Sequence, residues 1–183
     1  MNAQVSARIL EHVNGDETRW LEDEEQEAWL AYVAATSLLE GALDRQLQRD
    51  AEMPHAYYQI LAMLSEVPQR TLRMSELAAI TQSSQSRLSH AVARLERRGW
   101  VRRKPCLDDR RSTFAQLTEE GFEALADAAP GHVHTVRRHL FDRLTSEQVG
   151  QLREICRAVL DGLGVDGSVS LADALSRSGR PPA

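Results

Sequence analysis

Apolar residues recur at helical spacing along most of the chain. No proline falls between about Glu24 and Arg49, where Tyr32, Ala35, Leu39, Leu43 and Leu47 form one stripe. The acidic run Glu22 to Glu27 leads into it, where negative charge suits a helix N-terminus. Pro54 opens a second helix with Tyr57, Ile60, Leu61 and Leu64 on one face, and Pro68 closes it. Thr71, Leu72 and Arg73 are enough for only a short strand. Ser75 is placed to cap a brief helix from Glu76 to about Ile80. A polar break, Thr81-Gln82-Ser83, follows. Ser83 or Ser84 then caps a helix reaching Arg98, with Leu88, Val92 and Leu95 buried and Gly99 at a left-handed C-cap. A short helix, a tight polar turn and a longer helix make a helix-turn-helix.

Beyond Gly99 the period changes. Trp100 and Val101 begin a strand that continues through Arg102, Arg103 and Lys104. Asp108 to Arg111 form a charged tip, and Thr113 to Leu117 return. This hairpin is a wing. Thr118 caps a further helix carrying Phe122, Leu125, Ala126 and Ala129, which Pro130-Gly131 should kink or break. Val133, Val136, Leu140, Phe141 and Leu144 resume the apolar face. Thr145 and Gln148 fit a capping box ahead of a last helix with Leu152, Ile155, Val159 and Leu163. The expected fold is mainly α, a winged helix-turn-helix with a small β-hairpin and a helical dimerisation region, about six helices in all. The expected division is an N-terminal extension (1–19), a dimerisation region (20–53 and 118–164), a DNA-binding domain (54–117) and a frayed tail (165–183).

Composition adds little until charge is mapped. The 183 residues are 42% hydrophobic and 27% charged, ordinary for a globular protein that needs no disulfides. Cys106 and Cys156 lack CxxC spacing. No signal segment and no apolar run near 18 residues occur, so a cytoplasmic protein without membrane association is expected. The net charge is −5. Yet Arg70 to Arg111 holds eleven basic and four acidic residues, a net of +7, against −12 for the rest. A basic block in an acidic chain marks a polyanion site.

Several stretches together resemble the MarR (multiple antibiotic resistance regulator) family: Ser75-Glu-Leu-Ala, the run from Gln85 to Gly99, Asp109-Arg-Arg111, Leu117-Thr-Glu-Glu-Gly121 and Leu144-Thr-Ser-Glu-Gln148. The resemblance spans about Trp29 to Leu163. It implies an all-helical fold apart from the wing, an obligate homodimer, and often a response to a small anionic or aromatic effector, to oxidation or to metal.

The recognition helix must present its reading side chains opposite Leu88, Val92 and Leu95. Ser84, Gln85, Ser86, Arg87, Ser89 and His90 occupy its N-terminal half, the end that reaches base edges. Arg87 suits guanine and Gln85 adenine, while the serines suit phosphates or, for Ser83 and Ser84, capping. Arg94 lies farther along, within reach of phosphates, bases or internal acids. The resemblance implies that Arg111 enters a minor groove with Asp109 orienting it. Arg110 would meet a phosphate. A guanidinium is drawn to a narrow minor groove. The expected partner is double-stranded DNA.

The apolar terminal helices need partners, and two copies packed there would set two recognition helices about one DNA turn apart. Tyr32, His55, Tyr57 and Tyr58, with Arg87 or Arg94, are candidate effector-lining residues. Trp20 and Trp29 lie in an extension of the kind in which some urate-responsive relatives carry a tryptophan. Cys106 or Cys156 leaves a redox-responsive regulator open, and a winged-helix protein-interaction module is the other alternative. His132 and His134 are poorly spaced for a metal, so no metal or cofactor is assigned. No phosphate loop or nucleophile motif supports an enzyme.

Overall fold

The computed structural model describes residues 19–105 and 113–163. Residues 1–18 of the expected 1–19 extension, Cys106, the wing-tip residues Asp109, Arg110 and Arg111, and the expected 165–183 tail lie outside the described residues. The chain divides into two units, 1–37 and 38–183. Within the first, the N-terminal part of helix α1 (Asp23–Ala51) is acidic in its first turn, and the Glu22 N–H donates to Glu25 Oε2 at 3.0 Å. Trp20, Trp29, Tyr32 and Val33 are exposed there, and Trp29 stacks on Tyr32 with centroids 6.2 Å apart.

The second unit contains the rest of α1 and all later elements. Helix α2 (His55–Ser65) follows Pro54, and Pro68 opens a 3-10 turn, as the proline positions require. Strand β1 (Thr71–Arg73) leads into helix α3 (Met74–Ile80) and then α4 (Gln85–Arg97). The wing strands β2 (Val101–Pro105) and β3 (Thr113–Leu117) precede α5 (Glu119–His139) and α6 (Ser146–Gly162). The sheet has three strands, ordered β1-β3-β2 and antiparallel throughout. Leu72 and Arg103 both pair with Ala115. Thus β1, marginal in sequence, is stabilised by pairing across more than forty residues with β3. The described part is therefore mainly helical, with six α-helices and a wing sheet.

One buried cluster joins these elements. Leu61 and Leu64 of α2, Leu77 of α3, Leu88, Val92 and Leu95 of α4, Val101 of β2 and Ala115 of β3 meet in it. Leu47 and Met53 enter from α1 and its exit, and Leu125 and Ala128 from α5. Burying each such aliphatic side chain contributes about 1.5–3 kcal/mol relative to exposure.

Two local expectations change. Ser75 does not cap α3; it lies inside that helix. The backbone N–H of Arg73 instead donates to Glu76 Oε2 at 3.0 Å, so the carboxylate caps one turn earlier. Pro130 does not break α5, which runs unbroken through it. An internal proline forfeits one backbone bond and costs about 3 kcal/mol. Its ring is exposed, and buried Leu125 and Ala128 before it and Thr135 after it hold both halves in place. The capping box of Thr145 and Gln148 forms as expected, with both bonds present.

The exit from α4 is tightly specified. Gly99 has φ +76°, the left-handed conformation that ends the helix. The Thr118 N–H donates to the Trp100 carbonyl at 3.0 Å, and its hydroxyl donates to the Gly99 carbonyl at 2.6 Å. Gly121 then passes so close that a Cβ would lie 2.0 Å from the Trp100 carbonyl oxygen. Gly121→Ala is expected to destabilise the fold by about 3 kcal/mol, the upper end of overpacking costs. An unchanged urea midpoint would contradict this close approach.

Candidate nucleic-acid interface

Helix α4 is anchored on one face and open on the other. Leu88, Val92 and Leu95 are at most 1% exposed, whereas Gln85, Ser86, Arg87, Ser89 and His90 are exposed. Ser84 is the N-cap: its hydroxyl accepts from the Arg87 N–H at 3.3 Å. Of the two serines considered for capping, Ser84 therefore takes the role. Ser83 instead donates from its hydroxyl to the Thr81 carbonyl at 3.3 Å. The cap orients the first turn of α4, from which Arg87 projects. A free N-terminal turn with short polar side chains can enter a groove without steric conflict.

The wing is braced against α4 through Arg103 of β2. Its backbone N–H donates to Glu96 Oε1 at 3.0 Å, and its guanidinium pairs with Glu96 at 3.4 Å. Nη2 also donates to the Ser89 carbonyl at 2.8 Å and to the Ser89 hydroxyl at 3.3 Å. These contacts tie the hairpin to both halves of α4. Sequence reasoning counted Arg103 only as charge. Its one available signal was the acid Glu96, alone among the arginines of α4.

Other arginines of the basic block also have internal partners. Arg70 pairs with Glu119 at 3.0 Å and lies 3.9 Å from the Phe122 ring centroid. Arg98 lies over Trp100 at 4.7 Å, and Arg102 donates to Gln116 Oε1 at 2.7 Å. Arg94 donates to the Tyr57 hydroxyl at 3.5 Å. Among the described residues, Arg87 makes no side-chain ion pair.

The aromatic and histidine candidates separate. Tyr57 faces Arg94 and, with Arg97 and Arg98, borders a cavity of about 490 Å³. Tyr58, one residue on, packs on His132 of α5 with centroids 4.2 Å apart, and His55 lies 5.6 Å from His132. Tyr32 belongs to the first unit, against Trp29. Sequence reasoning missed His132 because it weighed that residue only against His134. Burial lowers the pKa of both His55 and His132; their mutual repulsion lowers His132 further, while Glu40 and Asp44 partly raise His55. Burial raises the Tyr58 hydroxyl. His132 Nδ1 is buried without a partner among the described residues. No group of His, Cys, Asp and Glu there could hold a metal. Cys156 on α6 is exposed and unbridged. No described helix is long and apolar enough to cross a membrane.

A helix-turn-helix with an antiparallel hairpin locked to its second helix defines a winged helix-turn-helix protein. The family model described as "MarR family" matches residues 52–112. Sco3205 of Streptomyces coelicolor, a MarR family transcriptional regulator solved in complex with DNA, is similar at 56% identity and a TM-score of 0.77, covering 85% of this chain and 96% of that one. AbsC, a MarR family transcriptional regulator of the same organism, is 42% identical with a TM-score of 0.74, covering 80% and 98%. The transcriptional repressor MprA of Escherichia coli K12 is 31% identical over 106 residues, 58% of this chain; the chain spans only 60% of that curated relative. The chain belongs to the MarR family of transcriptional regulators.

The histidine cluster gives a pH dependence of stability. Both imidazoles bind protons less readily folded than unfolded. Their contribution is therefore complete above the unfolded value, about 6.5, and is lost as pH falls through the lowered folded values. His132→Phe keeps a ring against Tyr58 and removes one titrating group. Thermal melts between about pH 7.5 and pH 5 should fall less steeply for this variant than for the unsubstituted protein. Equal slopes would remove His132 from the titrating pair.

Proposed function

We propose that the protein is a homodimeric, sequence-specific transcriptional repressor that binds a palindromic operator in double-stranded DNA. The observation that carries this reading is the α4 surface. Its apolar stripe is locked into the core, and Ser86, Arg87 and His90 stand outward at the end that reaches base edges. The DNA complex of Sco3205 and the repressor MprA support the same direction. Arg87 is the base-reading residue, by bidentate pairing with guanine. Arg111, oriented by Asp109, enters the minor groove, and Arg110 meets a phosphate. Arg94, held by Tyr57, contributes at the backbone.

The division into a DNA-binding domain (54–117) and a dimerisation region (20–53 and 118–164) is part of the reading. Ile155, Val159, Leu160 and Leu163 of α6 and its exit are 42–70% exposed in the single chain. So many exposed aliphatic residues at helical spacing suit burial against a second copy. An effector, small and anionic or aromatic, modulates binding. The partly buried His55, Tyr58 and His132 support one point of contact, because His132 Nδ1 has unused hydrogen-bonding capacity. The regulator is cytoplasmic and has no catalytic role.

If a dimer neutralises about eight phosphates, log affinity should fall with log salt at a slope of roughly −7. Fluorescence anisotropy with a selected operator duplex measures it, and a slope near zero would end the DNA-binding reading. Arg87→Ala should reduce discrimination between the operator and a single-base variant by about 1–3 kcal/mol. Undiminished discrimination would move base readout elsewhere.

A further inference from the structure

In B-form DNA one sugar–phosphate strand separates a major groove from the adjacent minor groove. A protein with α4 in the first and its wing in the second must let that strand pass between them. At that place lies an open crevice of about 390 Å³, lined by Arg73, Ser75, Gln85, Ser89, Arg103 and Thr113. These residues come from the β1–α3 junction, the first turns of α4 and both wing strands. Each of these six carries a side-chain hydrogen-bond donor, Met74 completes the lining, and among the described residues no acidic side chain lines the crevice.

We propose that this crevice seats the phosphodiester of the dividing strand, with Arg73 and Arg103 as its charged ligands and Gln85 and Ser89 as neutral donors. The inference rests on the DNA-binding reading above and assigns the backbone contacts within it. The guanidinium of Arg103 is already held by Glu96 and Ser89 through Nε and Nη2. A guanidinium has five N–H donors, and those on Nη1 are not used by these contacts. Prior fixing reduces the side-chain entropy lost on binding. The Ser89 hydroxyl accepts from Arg103 Nη2, which leaves its own proton to be donated to a phosphate oxygen. Arg73 lies 5.3 Å from the Phe114 ring centroid, so β3 helps position its guanidinium too. Gln85 and Ser89 thereby serve register on the duplex, and sequence discrimination falls to Ser86, Arg87 and His90.

The test measures anisotropy of the full chain with an operator duplex and a scrambled duplex across a salt series. Arg73→Gln is the main variant, because Arg103 also braces the wing. One phosphate lost per protomer should flatten the salt slope by about 1.8 per dimer. Affinity should fall by the same factor on both duplexes, leaving their ratio unchanged. An uncharged methylphosphonate at the dividing linkage should weaken the unsubstituted protein, and weaken Arg73→Gln by a smaller factor, because only Arg103 then pairs with that charge. An unchanged slope for a folded Arg73→Gln variant would overturn the assignment, as would independent, multiplicative losses. A changed operator-to-scrambled ratio would overturn it as well, by making Arg73 a base reader. Failure of the unsubstituted chain to bind either duplex would instead strike the DNA-binding reading itself, and this inference with it.

Discussion

The interface depends on the junction at Gly99, Trp100, Thr118 and Gly121. There the reading helix ends, the wing begins and returns, and α5 starts. The Trp100 N–H donates to the Leu95 carbonyl at 3.0 Å, closing α4. The Trp100 carbonyl accepts from Thr118, and Gly121 leaves that carbonyl room. The direction in which the wing leaves α4 is thus set by the same few atoms that begin α5. Arg103 supplies a second fixed point seven residues from Glu96, across the turn. The described strands of the hairpin are thus held at their base and along β2, which fixes their direction relative to α4.

The same arrangement alters the meaning of the charge count. A block of +7 suggests seven units available to a polyanion. Arg70 and Arg103 are ion-paired, Arg98 and Arg102 are held by Trp100 and Gln116, and Arg94 touches Tyr57. Pairing does not remove such a guanidinium from an interface. It lowers the net field and fixes the group, exchanging long-range attraction for prior order. Arg87 differs in being exposed and in making no side-chain ion pair among the described residues. The −12 on the remaining residues has little influence on nearby phosphates, because fields from exposed charges decay over about 8 Å at physiological salt.

Most helices were legible in the sequence because each buries one face, and a buried face leaves a period. The α4 stripe, the Gly99 terminus and the Thr145–Gln148 box are local and were read with nearly correct bounds. What was illegible joins distant positions. Pairing of β1 with β3 depends on residues more than forty apart. His132 reaches His55 and Tyr58 from another helix, and no local spacing announces it. Pro130 does not break α5 as one of the two expected outcomes required, because the helix buries residues on both sides of the proline. Ser75 misled because a competing carboxylate, Glu76, captured the backbone one turn earlier. For the site, residue types and the exposed face could be read, but not the brace from Arg103 to Glu96 and Ser89, which depends on how α4 and the wing are spaced.

Stability and recognition draw on different sides of one element here. Substitutions on the inner face of α4 should unfold the domain before they change its specificity. Those at Ser86, Arg87 and His90 fall on exposed positions, where substitutions usually change stability by less than about 0.5 kcal/mol. Ser89 lies between these extremes: it is exposed, yet its carbonyl and hydroxyl hold the Arg103 guanidinium. A ligand that shifts α5 would act on this division through Thr118 and Gly121, since the start of α5 and the base of the wing share the Trp100 carbonyl. Coupling of that kind requires no long pathway. It requires only that displacing the base of the wing disturbs the first turn of α5, and the two meet at the Trp100 carbonyl, which accepts from the Thr118 N–H and which Gly121 approaches without a side chain.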